Sequence, residues 1–228
     1  LTGDPRAKDA IDEIIEGVRQ YIYESFNNFG YINTNEIRIQ GWLVDNLVTQ
    51  WRIDPTTTFQ TANYGTKTLP QAIKDVLKSV LDLEIKAGKH GYVYDGDPPR
   101  SNLSAPLMHC YFLGPAINAY NEVFKGRDSS YAGELSGLIF RMTSWLMEVT
   151  YGGETNVSGH YLPRQIPYMV DRHLSQQPDG QIPYLLMTAD AVGFCMLETG
   201  DYVLNRERLR YMRPAFRDYI RYLGVVAG

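Results

Sequence analysis

The stretch "SAPLMHCYFLGPAINAYNEVF", residues 104 to 124, limits the fold more than any other. It has the length and spacing of a helix but is apolar on nearly every side. No orientation gives it a wet face, so other elements must enclose it. Gly114 and Pro115 lie in its interior, where a proline removes a backbone donor and crowds the preceding turn. "QIPYLLMTADAVGFCMLE", residues 181 to 198, is apolar all round as well. The chain therefore carries two helices that need covering and must supply the helices that cover them.

The covering helices are legible by their stripes. From Pro5 onward Ala7, Ala10, Ile11, Ile14, Ile15, Val18 and Ile22 fall at helical spacing, with Asp4 as N-cap and Pro5 at the first helical position. This helix is expected to end near Ser25. A second starts in "NTNE", where Asn33 or Thr34 caps and Glu36 stands three residues after Asn33. Its apolar positions are Ile37, Trp42, Leu43, Leu47, Val48 and Trp51, and Pro55 with a Thr-rich stretch ends it. A third begins at "TLPQ" with Ile73, Val76, Leu77, Val80 and Leu81 as its stripe and Gly88 as its stop. A fifth, "YAGELSGLIFRMTSWLMEV", has Leu135, Leu138, Ile139, Met142, Trp145, Leu146 and Val149 on one face. The last, "RERLRYMRPAFRDYIRYL", is amphipathic and basic on its wet face. The first, third, fifth and last helices, each with one apolar stripe, thus alternate with helices apolar all round, the second being less clear-cut, and this implies two layers, an inner one enclosed by an outer one.

The joints between the layers repeat too. "LTGDPRAKDAIDEIIEGVRQYI", "VFKGRDSSYAGELSGLIFRMTSWLM" and "LETGDYVLNRERLRYMRPAFRDYI" share a plan in which an inner helix stops at Gly and an outer helix follows. "NYGTKTLPQAIKDVLKSVLDL" is a diverged copy. Gly3, Gly65, Gly126 and Gly200 mark the joints, at intervals of roughly 60 to 75 residues, longer than the common helical-repeat units. "PLMHCYFLGPAINAYNEVFKGRD" and "YLLMTADAVGFCMLETGDYVLNRERL" resemble the recurring unit of the α/α-toroid, or six-hairpin glycosidase-like, superfamily. The resemblance implies an all-α chain of antiparallel helical hairpins in a partial (α/α) toroid, as a single domain over residues 1–228. About seven main helices and long loops gathered at one end are expected. It also implies a carbohydrate-active protein, since the superfamily holds glycoside hydrolases and polysaccharide lyases, and it favours a secreted or periplasmic location. An opening at a joint, and fewer helices than a closed ring has, lead to the expectation that the chain is cut from a larger protein and packs against the remainder.

Composition narrows the partners. With 22 basic and 26 acidic side chains the net charge is -4, which gives no excess of positive charge to hold a nucleic-acid backbone. No apolar run approaches a membrane span in length. Seventeen Tyr and three Trp suit sugar faces, protein interfaces and half-wet clefts alike. Cys110 and Cys195 lie within apolar helical patterns as small hydrophobes, and a disulfide between them is left open.

In a toroid the loops that enter the inner helices, and those helices' first turns, line the cleft. Here these are residues 31 to 38, 91 to 109 and 152 to 184, long loops of the kind that carry function. "SGHYLPRQIPY" is the richest, with His160 and Tyr161 as base and acid and Arg164 to neutralise a carboxylate. A lyase acting on a uronate needs such a set, because neutralising the carboxylate acidifies the proton beside it. The same residues also fit an ordinary aromatic loop tied to backbone. "GYVYDGDPPRSN" offers Tyr92, Tyr94 and Asp95 for substrate binding, though Asp-Gly and Asp-Pro-Pro are turn chemistry as well. His109, in the first turn of the fourth helix, is a further catalytic candidate or a satisfied core histidine. Arg38 and Trp42 on the second helix, and Tyr184 at the close of the third loop, complete the substrate-binding set. His90 and His173 lack partners at metal-ligand spacing, so neither a metal nor a cofactor is expected. A non-catalytic sugar- or protein-binding module, attached to a larger enzyme, is the competing reading. A helical scaffold for protein partners is a third.

Overall fold

The computed structural model describes residues 5–24, 37–93, 103–149, 154–155, 161–162, 170–171 and 189–199. These residues are mainly helical, with three short antiparallel strand pairs. Helix α1 spans Pro5–Tyr23 and α2 Ile37–Ile53. A hairpin of β1 (Thr58–Thr61) and β2 (Gly65–Thr68) leads into α3 (Leu69–Lys86). Strand β3 (Leu103–Ser104) precedes α4 (Pro106–Asn118), which continues without a break as a π-helical turn over Ala119–Phe124. Helix α5 covers Ser129–Val149. Strands β4 (Glu154–Thr155), β5 (Tyr161–Leu162) and β6 (Val170–Asp171) and helix α6 (Ala189–Thr199) follow. The amphipathic pattern at residues 206–223 lies outside the described residues, as do the proposed caps of α1 and α2.

Helices α2 and α4 lie side by side, parallel and in step. Gly41 of α2 faces the backbone of Tyr111, so closely that a Cβ there would stand 2.5 Å from the Tyr111 carbonyl oxygen. Eleven residues further along, the Arg52 guanidinium donates twice to the Glu122 carboxylate, at 2.7 and 2.5 Å, across the same offset of 70 residues. Pro115 takes part in this approach, since it has no N–H to give to the Tyr111 carbonyl one turn back. The π turn that follows places Tyr120 against α6: its ring meets Phe194 edge-on at 5.0 Å and its hydroxyl donates to Glu198 at 2.8 Å. Lys125 reaches the same carboxylate. Helix α6 is thereby parallel to α4.

Helices α3 and α5 run the other way. Each begins where an inner helix ends. Pro70 lies in the first turn of α3, as expected, and Thr68 caps the helix reciprocally with Gln71, a capping box not named from the sequence. Gly126, at φ 77°, makes the second joint, and Asp128 accepts from Tyr131 N–H at the start of α5. Lys74 pairs with Asp128 near the starts of the two helices and Glu84 with Arg141 further along, so α3 and α5 are parallel to each other. The stripes named from the sequence are the ones that pack: Ile73, Val76, Leu77 and Val80 on α3, and Leu135, Leu138, Ile139, Met142 and Leu146 on α5, share one core with Phe112, Leu113 and Ala116 of α4, α3 packing on α2 and α5 on α4. A fully buried aliphatic side chain of this kind contributes about 1.5–3 kcal/mol.

Three expectations are corrected. The Thr-rich stretch is a β-hairpin in register Thr58↔Thr68 to Thr61↔Gly65, with Phe59 buried beneath it and Gly65 at φ 67° in its turn. Ile14 and Trp42, read as stripe positions, are 51% and 50% exposed. The last turn of α1 sits at the hairpin, where Tyr23 donates to Asp75 at 2.9 Å and Arg19 to the Gln60 carbonyl at 3.2 Å. Helix α1 therefore finishes at the end where α3 begins, and does not start there as the other outer helices do.

Candidate functional site

The end where α2 and α4 begin and α3 and α5 finish carries two aromatic clusters; rings also meet at the opposite end, Tyr23 with Tyr64 and Phe124 with Tyr131. Strand β3, directly before α4, pairs with β6 in register Leu103↔Asp171 and Ser104↔Val170, which ties the chain between α5 and α6 to this end. In that same stretch β4 and β5 pair through Glu154↔Leu162 and Thr155↔Tyr161. Val170 and Asp171 thus lie beside the start of α4, and Ser104 links them to the segment that follows α3.

Two aromatic clusters flank the first turns of α4. On the α2 side, Tyr111 meets the Trp42 indole at 6.4 Å and 70°, and the Arg38 guanidinium lies 5.3 Å from the same indole. Arg38 and Trp42 are one turn apart on α2, so helical spacing brings them together. On the α5 side the rings form a series from core to surface. His109 lies 4.9 Å from Trp145, Trp145 lies 5.4 Å from Tyr92, and Tyr92 stacks on His90 at 6.0 Å and 18°. His109 and Trp145 are buried, Tyr92 is half-buried and His90 exposed.

His109 is held by backbone on both ring nitrogens. Its Nδ1–H donates to the Ala105 carbonyl at 2.8 Å, which leaves Nε2 to accept from the Val93 N–H at 3.2 Å. Burial lowers its pKa to about 4, partly countered by the bond to Ala105, so the ring is neutral at pH 7. An acid or base needs a nitrogen that can exchange a proton with substrate. His109 instead braces the segment that carries Tyr92, together with Ser104, whose hydroxyl donates to the Val93 carbonyl at 2.7 Å.

A second brace was not foreseen. The Glu84 carboxylate, fully buried at the end of α3, accepts from Arg141 Nε and Nη2 at 2.6 and 2.7 Å and from the Gly91 N–H at 3.1 Å. Gly91, at φ 81°, lies where a Cβ would stand 2.1 Å from the Arg141 carbonyl oxygen. The signal was in the sequence, since Glu84 continues the buried Val80 and Leu81 stripe at helical spacing and a buried carboxylate requires a cation.

Of the sequence-predicted residues, Arg38 and Trp42 are in contact, and Tyr92 and His109 are joined through Trp145. Tyr161 is placed by backbone only. His160, Arg164, Tyr94, Asp95 and Tyr184 lie outside the described residues. Tyr111 and Trp145, which complete the two clusters, were missed as site residues because each reads as an ordinary position of an apolar helix. Among the described residues no group of His, Cys, Asp and Glu is arranged to hold a metal ion, and no helix is long and apolar enough to cross a membrane. Comparison of the chain with protein-family models, curated proteins and solved structures returns no match.

Proposed function

We propose that the chain is a carbohydrate-active domain of the α/α-toroid kind, binding a polysaccharide or oligosaccharide at the end where α2 and α4 begin and cleaving it as a lyase or hydrolase. The supporting observation is the in-step, parallel pairing of inner helices whose first turns carry two aromatic clusters at the end reached by the longest loop. Aromatic rings with polar tips suit the mixed apolar and hydroxylated faces of sugars. In this reading Trp42, Arg38 and Tyr92 bind substrate, joined by Tyr94, Asp95 and Tyr184 from the loops. Tyr161 and His160 move the proton and Arg164 neutralises a substrate carboxylate. His109 is a positioning residue that holds the Tyr92 segment, not an acid or base.

One observation favours a second reading, a non-catalytic sugar-binding module. The proposed acid–base residue whose side chain is described, His109, is occupied by backbone at both nitrogens. Incubation with a panel of acidic and neutral polysaccharides separates the two. New ultraviolet absorbance marks a lyase and new reducing ends alone mark a hydrolase. Retention on a polysaccharide without either product marks a binding module, and neither binding nor product rejects the carbohydrate reading.

A further inference from the structure

We infer that the segment after α3 is an acid-released strap, in which a proton on His109 frees Val93 and withdraws the Tyr92 ring from Trp145 while the helices stay folded. This holds whatever ligand the chain takes. Residues 87–93 lie outside regular secondary structure, and Gly88, Lys89 and Gly91 all have positive φ, at 89°, 59° and 81°. A left-handed lysine is strained, so local preference does not hold the segment in place. Side chains of three other elements do. Glu84 of α3 accepts from the Gly91 N–H, Ser104 of β3 donates to the Val93 carbonyl, and His109 of α4 accepts from the Val93 N–H.

The His109 anchor is the one a proton removes. Neutral imidazole accepts at one nitrogen, whereas imidazolium donates at both. With Nδ1 bonded to the Ala105 carbonyl, the second proton sits on Nε2 and faces the Val93 N–H. Two buried donors set against each other leave both without an acceptor, so a protonated ring and a docked Val93 exclude one another. Among the described residues no charge faces the ring to offset this. Glu84 of α3 and Arg141 of α5 bind each other, Arg38 of α2 lies against Trp42, and Asp45, Lys89, His90 and Glu148 are exposed. Asp171 of β6 is placed by its backbone pairing with Leu103. Burial and the Ala105 bond alone set the proton affinity of His109. Gly91 keeps its own anchor, Glu84, and its seat on the α5 backbone at Arg141 and Met142, so residues 92 and 93 turn about it.

The test is amide hydrogen exchange of the full chain from pH 7 to pH 4, resolved by residue and corrected for the pH dependence of intrinsic exchange, for the wild type and His109→Gln. The glutamine side-chain oxygen can accept from the Val93 N–H at any pH, and far-UV circular dichroism checks that the variant keeps the fold. Opening takes up one proton between the ring's ordinary value of 6.5 and its docked value of about 4. Val93 protection in the wild type should therefore fall roughly tenfold for each pH unit below 6.5, while the amides of α3, α4 and α5 lose less. In His109→Gln, Val93 should keep its protection across the range. A wild-type Val93 whose protection does not change with pH, or falls only in step with the three helices, overturns the strap even if the variant does not fold. The same loss at Val93 in a folded His109→Gln also overturns it.

Discussion

Gly41→Ala is the substitution that probes the helix pairing most sharply. A Cβ at this position would meet the Tyr111 carbonyl oxygen at 2.5 Å, Phe112 Cα at 3.0 Å and the Tyr111 carbonyl carbon at 3.1 Å. All three are backbone atoms of α4, and none can rotate aside. Ordinary contact requires the two helices to part by several tenths of an ångström or more, and the buried Val44 and Val48 on the same helix then lose close packing. Such overpacking costs about 1–3 kcal/mol, while exchanging a helical glycine for alanine gains about 1 kcal/mol. Because all three contacts are with backbone, the steric cost is expected to exceed that gain, for a net loss of up to about 2 kcal/mol. Gly17→Ala and Gly133→Ala are the controls, because each lies in a helix with nothing within 4 Å of the new Cβ. They should raise stability by up to about 1 kcal/mol, because alanine favours the helix over glycine and nothing opposes it there. Urea unfolding followed by far-UV circular dichroism reads all three. If Gly41→Ala unfolds at the same or higher urea concentration than Gly17→Ala, α2 and α4 do not meet at this point and the parallel pairing is wrong.

Three further outcomes follow from the braces and the core. Arg141→Ala strands the fully buried Glu84 carboxylate and should cost about 3–5 kcal/mol in urea unfolding, whereas Glu84→Leu combined with Arg141→Leu should cost clearly less; equal losses would contradict a buried carboxylate that depends on Arg141. His109 has a folded pKa of about 4 against an ordinary 6.5, so the unfolded state binds the extra proton between these values. Its contribution, about 3 kcal/mol, is complete above pH 6.5 and lost as the pH falls towards 4. His109→Gln should therefore flatten the pH dependence of stability in that window, and an unchanged slope would sink the assignment. Cys110 and Cys195 are buried and joined in no disulfide, and burial pushes the Cys110 thiol up to about 12. A thiol reagent should thus modify both only as fast as the protein unfolds; rapid modification of the native protein would place a cysteine at the surface.

What the sequence made legible were the elements with strong local signals. Helix α3 starts at Leu69, where Pro70 announces it, and α4 is enclosed because its pattern offers no wet face. The misses have physical causes. The β1–β2 hairpin has four residues per strand and one buried side chain, Phe59, too short an alternation to stand out from a Thr-rich turn. Trp42 and Ile14 fit the helical period, but period alone does not say where an apolar stripe stops. The pairing of Glu84 with Arg141 joins residues 57 apart and depends on how α3 and α5 pack. At the site, Arg38 with Trp42 was readable from one-turn spacing. The role of His109 was not, since a helical histidine with satisfied nitrogens and one open to substrate have the same sequence.

Hydrogen exchange with and without a bound acidic oligosaccharide locates the binding end directly. Protection should rise in the first turns of α2 and α4 and around residues 90–93, beside Trp42, Tyr111 and Tyr92, and stay unchanged in the β1–β2 hairpin and at residues 125–128. Protection confined to the hairpin and residues 125–128 would place the ligand at the opposite end of the helices and contradict a saccharide site built on the starts of the inner layer.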